Sequence, residues 1–200
     1  MNRPNRMNSW IAKAWKEVLG VDLRSLAVMR IGLGFMLIWD LMVRSKDLTT
    51  FYADEGAVPR EAVLDFWHRP TYISVHMMSG SWMWEALLFI IAGFFAFMFM
   101  IGCRTRLSGF VSWFLLISLH VRNPLVLNGG DIVLRLILFW CLFLPMAARY
   151  SVDSSPARRA LTEWTAPVQS LFISVATFGL LLQASCIYFI SAMLKTGSNW

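Results

Sequence analysis

Long apolar runs separated by short polar knots organise this chain. They extend from Leu26 to Val43, Trp82 to Gly102, Leu107 to Val121, Ile132 to Ala148 and Val168 to Leu194. A helix needs about 20 apolar residues to cross a bilayer core, so the third run is short and the last is long enough to tilt. The pattern predicts an all-α fold: a polytopic integral membrane helical bundle of about five transmembrane helices. Ahead of it, SWIAKAWKEVLG places Trp10, Ile11, Ala14, Trp15, Val18 and Leu19 on one helical face and Lys13, Lys16 and Glu17 on the other. That spacing predicts an N-terminal interfacial helix on the inner leaflet, or a soluble cap on the span ends. Residues 1–25 are read as a cytoplasmic amphipathic segment and 26–200 as the transmembrane domain. In the long loop after the first run, Asp54-Glu55-Gly56 reads as a turn and Pro59 as the start of a short helix through EAVLDFW. Trp67, Trp82 and Trp84 are expected in the headgroup belt.

Composition agrees with the pattern. The chain of 200 residues is 58% hydrophobic and 15% charged, with a mean hydropathy of +0.58. A soluble domain of this size does not hide so much apolar surface, ordinary usage being roughly 45–50% apolar and about 25% charged. The net charge of +6 sits in short loops between apolar runs, which sets membrane orientation and forms no stripe for nucleic acid. With the N-terminus inside, ten lysines and arginines fall in inner segments and six in outer ones. The expectation is therefore a multi-pass membrane protein, N-terminus cytoplasmic and C-terminus outside. The first 25 residues are polar and basic, and the first apolar run ends at Trp39-Asp40 without a small-residue cleavage site, so no cleavable signal is read. Cys103, Cys141 and Cys186 lie in or beside apolar runs without metal spacing. They read as small hydrophobes, and no metal is expected.

Ionisable groups inside apolar runs are costly and therefore informative. Arg30 lies deep in the first run and Asp40 near its end; Glu85 sits just inside the second, where snorkelling accounts for it. Arg30 reads either as a group facing the bundle interior or as a snorkelling one. Asn128 and Asp131 are good N-cap residues for the fourth run, and Asp131 and Arg135, four apart, share a helical face. Two readings stay open there: a capped helix with an intrahelical ion pair, or a binding site at a helix N-terminus beside Gly129 and Gly130. Lys195, at the end of the last run, is an anchor or, if partly buried, a general base, since burial lowers an amine's proton affinity. The orientation sets Asp40, the Tyr52–Arg60 loop, the 128–135 segment and Lys195 on one outer face, which suggests one cavity opening outward.

LAVMRIGLGFMLIWDLMVRSKDLTTFYADEGAVPR resembles the opening of the HTTM (horizontally transferred transmembrane) domain, related to the vitamin K-dependent gamma-glutamyl carboxylases, with Arg30, Asp40, Tyr52, Asp54 and Gly56 at its recurring positions. RNPLVLNGGDIVLRLILFWCLFLPMAARYSVD resembles that family's next signature, centred on Asn128, Gly129, Gly130 and Asp131, and YFISAMLKTGSNW resembles the carboxylase segment holding a lysine and a tryptophan, here Lys195 and Trp200. The resemblance implies reduced vitamin K or another quinol as cofactor, with Lys195 as the base that starts quinol oxygenation and carboxylation. The binding residues would be Arg30, Asp40, Tyr52, Asp54, Asn128, Gly130, Asp131 and Arg135. The chain departs from the carboxylases at Gly130, where they carry a histidine near the asparagine, and in lacking their large lumenal domain. Family members usually continue through further membrane segments, so the domain reads as shortened at its C-terminus. Besides the bilayer, which the resemblance implies is a bacterial plasma (inner) membrane, a secreted peptide or protein substrate on the outer face is the implied partner. Two other classes compete: a non-catalytic membrane protein assisting maturation or export of such a peptide, and a lipid-binding or transport protein using Arg30 and Arg135.

Overall fold

The computed structural model describes residues 20–67, 74–153, 171–172 and 175–195. The predicted N-terminal helix, the side chain of Trp67, residues 168–170 and 173–174 of the last predicted span and Trp200 lie outside what is described; within that span Leu171–Phe172 is a strand and not helix. In chain order the elements are β1 (Val21–Asp22), α1 (Leu23–Ser45), α2 (Leu48–Tyr52) and α3 (Arg60–Trp67), then a 3-10 turn at Val75–Met77. They continue with α4 (Trp82–Ile101), α5 (Thr105–Arg122), a 3-10 turn at Pro124–Val126, α6 (Gly129–Cys141), β2 (Leu171–Phe172) and α7 (Val175–Leu194). Among the described residues three helices, α1, α4 and α7, are long and apolar enough to cross a membrane. The only strands among the described residues are a two-residue antiparallel pair, with Val21 opposite Phe172.

Helix α1 starts where Asp22 caps it, its carboxylate accepting from the Arg24 N–H at 2.8 Å. It packs most extensively on α4. At Gly34 the two backbones approach so closely that a Cβ would strike Cα and Cβ of Met100, the small-residue contact by which helices pack in lipid. Leu26, Leu33 and Leu37 of α1 meet Ala96 and Phe99 of α4, Leu116 of α5 and Leu134 and Leu138 of α6 in one core. The opposite stripe of α1, with Val28, Phe35, Met36, Trp39 and Val43, is exposed, as a lipid-facing surface would be. Gly102 ends α4 with a φ of 77°. Arg104 follows at 43°, and this left-handed pair reverses the chain into α5.

One predicted span is corrected. The run from Ile132 to Ala148 is not one helix: α6 stops at Cys141, and 142–150 continue as turns. Pro145 accounts for the stop, because its ring would clash with the carbonyl of Cys141 and it lacks an N–H. The third run becomes α5, 18 residues ending in Arg122. Pro59 does precede a helix, with Val63 N–H reaching its carbonyl at 3.3 Å. Trp82 is exposed, whereas Trp84 is half-buried and donates its indole N–H to Val75 O at 3.1 Å. Among the cysteines only Cys141 is buried; Cys103 is half-buried and Cys186 exposed.

Candidate functional site

Polar side chains collect where α1 ends, α5 ends and α6 begins. Asp40 and Arg44 are four apart on α1, one turn along the same face, and Arg44 Nε donates to both Asp40 oxygens at 2.9 and 2.8 Å. Its Nη2 reaches across to Asp131 Oδ1 at 2.8 Å, and Nη1 donates to the Tyr52 hydroxyl at 3.2 Å. One guanidinium thus ties together α1, α2 and α6. The Arg44 and Asp131 side chains are each only 7% exposed and Asp40 is 24% exposed, so the charges are paired as buried charges must be. Tyr52 is fully buried and packs edge-on to Phe89. Burial pushes its hydroxyl pKa up, against the opposing pull of Arg44.

Asp131 is held from its own helix as well. Asn128 Oδ1 accepts from the Asp131 N–H at 3.2 Å, and Asp131 Oδ2 accepts from the Asn128 N–H at 2.9 Å. This reciprocal cap is the one the residues predict, but the ion pair is not. Asp131 pairs with Arg44, not with Arg135, which is half-buried on α6. Gly130 has a reason of its own: a Cβ there would sit 2.8 Å from Asn128 Oδ1. A histidine at that position would push the cap apart. An imidazole nevertheless stands beside the turn, supplied by α5. His120 is 2% exposed, with Nε2 4.0 Å from Asp131 Oδ1, and neither ring nitrogen has a hydrogen-bond partner within the described residues.

A second polar group adjoins the first. Ser74 and the 3-10 turn after it are pinned on α5, Ser74 Oγ donating to Ser118 O and Val75 N–H to Ser118 Oγ, both at 2.8 Å. This sets His76 against α4, its Nδ1 2.5 Å from Glu85 Oε2. Glu85 is fully buried, so the snorkelling reading of that residue is corrected: an imidazole and the α5 guanidinium of Arg122, at 3.9 Å, keep it inside. Arg122 is fully buried too and donates to Val58 O at 2.9 Å. On the loop side, Arg60 Nη2 pairs with Asp54 Oδ2 at 2.7 Å. The hydrogen bonds from Arg60 hold the Asp54 carboxyl below its ordinary range.

The other predicted site residues lie elsewhere. Arg30 is fully buried, roughly 15 Å along α1 from Asp40 by helical rise, at the opposite end of the bundle. It donates to Met146 O at 2.8 Å and to Tyr150 O. Lys195 is exposed at the end of α7. Gln183 of that helix reaches Val133 O at 3.3 Å; by helical rise Lys195 lies roughly 18 Å further on, past the start of α6.

Between α1 and α6 an open groove of about 470 Å³ is lined by Phe35, Met36, Trp39, Asp40, Val43, Asn128, Gly130, Asp131 and Leu134. Its volume is that of a small-molecule site, usually 300–1,000 Å³ or so. One wall is flat and aromatic, Phe35 and Trp39 stacking at 6.3 Å and 24°. Asp40, Asp131 and the exposed Asn128 and Gly130 supply the polar part. Sequence reasoning missed Arg44, His120 and Arg122 as members of the cluster. The signal was available in LHVRNP, where an apolar helix ends on three polar side chains, His120, Arg122 and Asn123, all of them buried.

No protein-family model, curated protein or solved structure matches this chain.

Proposed function

We propose that the chain is an HTTM-like, multi-pass membrane protein that binds a quinol-type amphiphile in the groove between α1 and α6. The observation that carries this reading is the groove's composition: a lipid-facing aromatic wall joined to a buried acid–guanidinium cluster. A flat apolar ring suits Phe35 and Trp39, while a hydroxyl can donate to Asp40 or Asp131 and accept from the Asn128 amide. Entry from the bilayer needs no aqueous path, because the exposed stripe of α1 forms the wall. The family resemblance gains support from the way Asp40, Tyr52 and Asp131, far apart in the sequence, meet on one arginine. His120 beside Asp131 offers the imidazole that Gly130 cannot.

In this reading the chain crosses the membrane five times with the cluster toward the outer face. The acids and Asn128 handle the ligand's polar end with His120 behind Asp131, and Lys195 stands beyond the groove as described above. The test is a photoreactive naphthoquinol analogue added to the protein in nanodiscs, with adducts mapped by mass spectrometry. Adducts are expected on segments 35–43 and 128–134, suppressed by unlabelled quinol and reduced in Asp131→Asn. Adducts spread over all lipid-facing helices, or suppressed only by phospholipid, would overturn the quinol reading. Quinol epoxidation compared between wild type and Lys195→Ala separately tests the base role implied by the resemblance: equal turnover removes Lys195 from the chemistry.

A further inference from the structure

Asp40 borders two spaces. Besides the groove, it lines a small, partly open cavity of about 20 Å³ between α1, α4 and α5, where His76, Ser112 and the apolar side chains of Leu37, Phe89 and Leu115 complete the wall. A buried water needs roughly 10–15 Å³ and two to four polar partners. This cavity provides the space, and Asp40, His76 and Ser112 provide the partners. Ser112 is 4% exposed, and its hydroxyl has no hydrogen-bond partner within the described residues. Such a group in a bundle interior carries a desolvation cost that a bound water would remove. The helical spacing makes the hydroxyl an exception on its own face, since Ser112, Leu115, Leu116 and Leu119 form one stripe of α5 against the cavity.

We propose that this cavity holds an ordered water bonded to Ser112 Oγ, and that the water links Asp40 to the buried His76–Glu85 pair as a path for protons. The charged surroundings are defined on both sides. Asp40 faces Arg44, which also holds Asp131; the pair at His76 faces Arg122, which neighbours Asp54. A proton received by the Asp40 carboxylate passes to the water, and the water passes one to the imidazole. The imidazole releases its Nδ1 proton toward Glu85 Oε2, 2.5 Å away. The net change is one proton moved from the groove to the buried pair, with no other bond made or broken. The water link stands without any ligand. Its use for a proton leaving a bound quinol rests on the amphiphile reading above.

The test uses the full chain in nanodiscs without ligand. Radiolytic labelling with water-derived oxygen reports side chains beside bound water. Phe89 and Leu115 should label despite being buried, while Leu33, as buried as Leu115, and the more deeply buried Phe99, neither of which lines this cavity, should not. In Ser112→Val, which fills the space with an apolar group, that labelling should vanish. Exchange of the His76 ring N–H, followed by ¹⁵N imidazole NMR, should slow by about tenfold or more. Ser112→Ala, removing only the hydroxyl, provides the same readouts if valine prevents folding. Labelling of Phe89 no stronger than that of Phe99 would show the cavity dry and overturn the proposal. So would His76 exchange at the wild-type rate in both variants, since the water would then carry no proton to the pair. Neither result touches quinol adducts on 35–43, so failure here and failure of the ligand reading remain separate.

Discussion

Helix α1 carries two buried arginines fourteen residues apart, and they are satisfied in opposite ways. Arg44 is held by carboxylates and a phenol from three elements and borders a groove. Arg30 is held by main-chain carbonyls of the turns after α6, and its guanidinium lies against Gly102, where a Cβ would collide with it. Around it Ser151 Oγ donates to Gly102 O, and Thr105 N–H donates to Asp153 at 3.1 Å. The Arg44 end consists of side-chain charges that a ligand can address. The Arg30 end is a clamp on backbone: its Nη1 and Nη2 are committed to main-chain carbonyls, and its buried Nε has no hydrogen-bond partner among the described residues. A charge inside a membrane helix therefore does not by itself mark a ligand site; the identity of its partners decides.

The sharpest way to break this contrast is to remove each arginine in turn. Arg44→Met leaves Asp40 and Asp131 without their cation, and breaking a buried pair from one side costs about 3–5 kcal/mol. The variant should show the largest loss of unfolding free energy in detergent titrations and lose quinol adducts. Arg30→Met removes the charge together with its desolvation cost and orphans two carbonyls, for a loss of about 1–3 kcal/mol. Quinol adducts should persist at 35–43 in that variant. Loss of adducts in Arg30→Met to the same degree as in Arg44→Met would erase the distinction.

Between these ends, Gly34→Val tests the closest helix contact. Overpacking of this kind costs about 1–3 kcal/mol, and a variant as stable as wild type would mean that α1 and α4 separate freely at Met100. A smaller effect is expected from pH at the loop side of the Arg44 end. Asp54 has its pKa lowered by Arg60, so its contribution is present above the unfolded value near 3.9. That contribution is lost as pH falls through the lower folded value. The carboxylate is about a third exposed, which holds the effect to roughly 0–1 kcal/mol. Acid titration of stability should be flatter in Asp54→Asn; an identical slope would remove the Asp54–Arg60 pair from the balance. At the Arg30 end, Tyr150 has an exposed side chain and a φ of 49°. Tyr150→Gly should therefore be neutral or stabilising by up to about 1 kcal/mol, whereas a loss would assign the ring a packing role.

The apolar runs made α1, α4, α5 and most of α7 legible, because hydropathy and length carry that information directly. The cap at Asn128 and Asp131 was legible for the same local reason: its partners are three residues apart. The partner of Asp131 was not. Arg135 is the nearest cation by helical spacing, yet Arg44, 87 positions away, wins because the packing of α1 beside α6 brings it to 2.8 Å. Glu85 misled for a similar reason, since a glutamate near a helix start reads as a snorkelling group until the 3-10 turn at Val75–Met77 delivers His76. The end of α6 was missed despite Pro145, because summed hydropathy runs through a proline without registering it.

Arg30 grips the 142–150 turns through main-chain oxygens, at Met146 and Tyr150. A clamp that reads carbonyls is indifferent to the side chains that carry them. It is not indifferent to how many residues separate them. Over evolutionary time an exposed position such as Tyr150 is free to drift in identity, while a single insertion or deletion between the two carbonyls would throw the guanidinium out of register. At this end of the bundle the heritable constraint is on length, and alignments of future relatives should find it in the gaps and not in the letters.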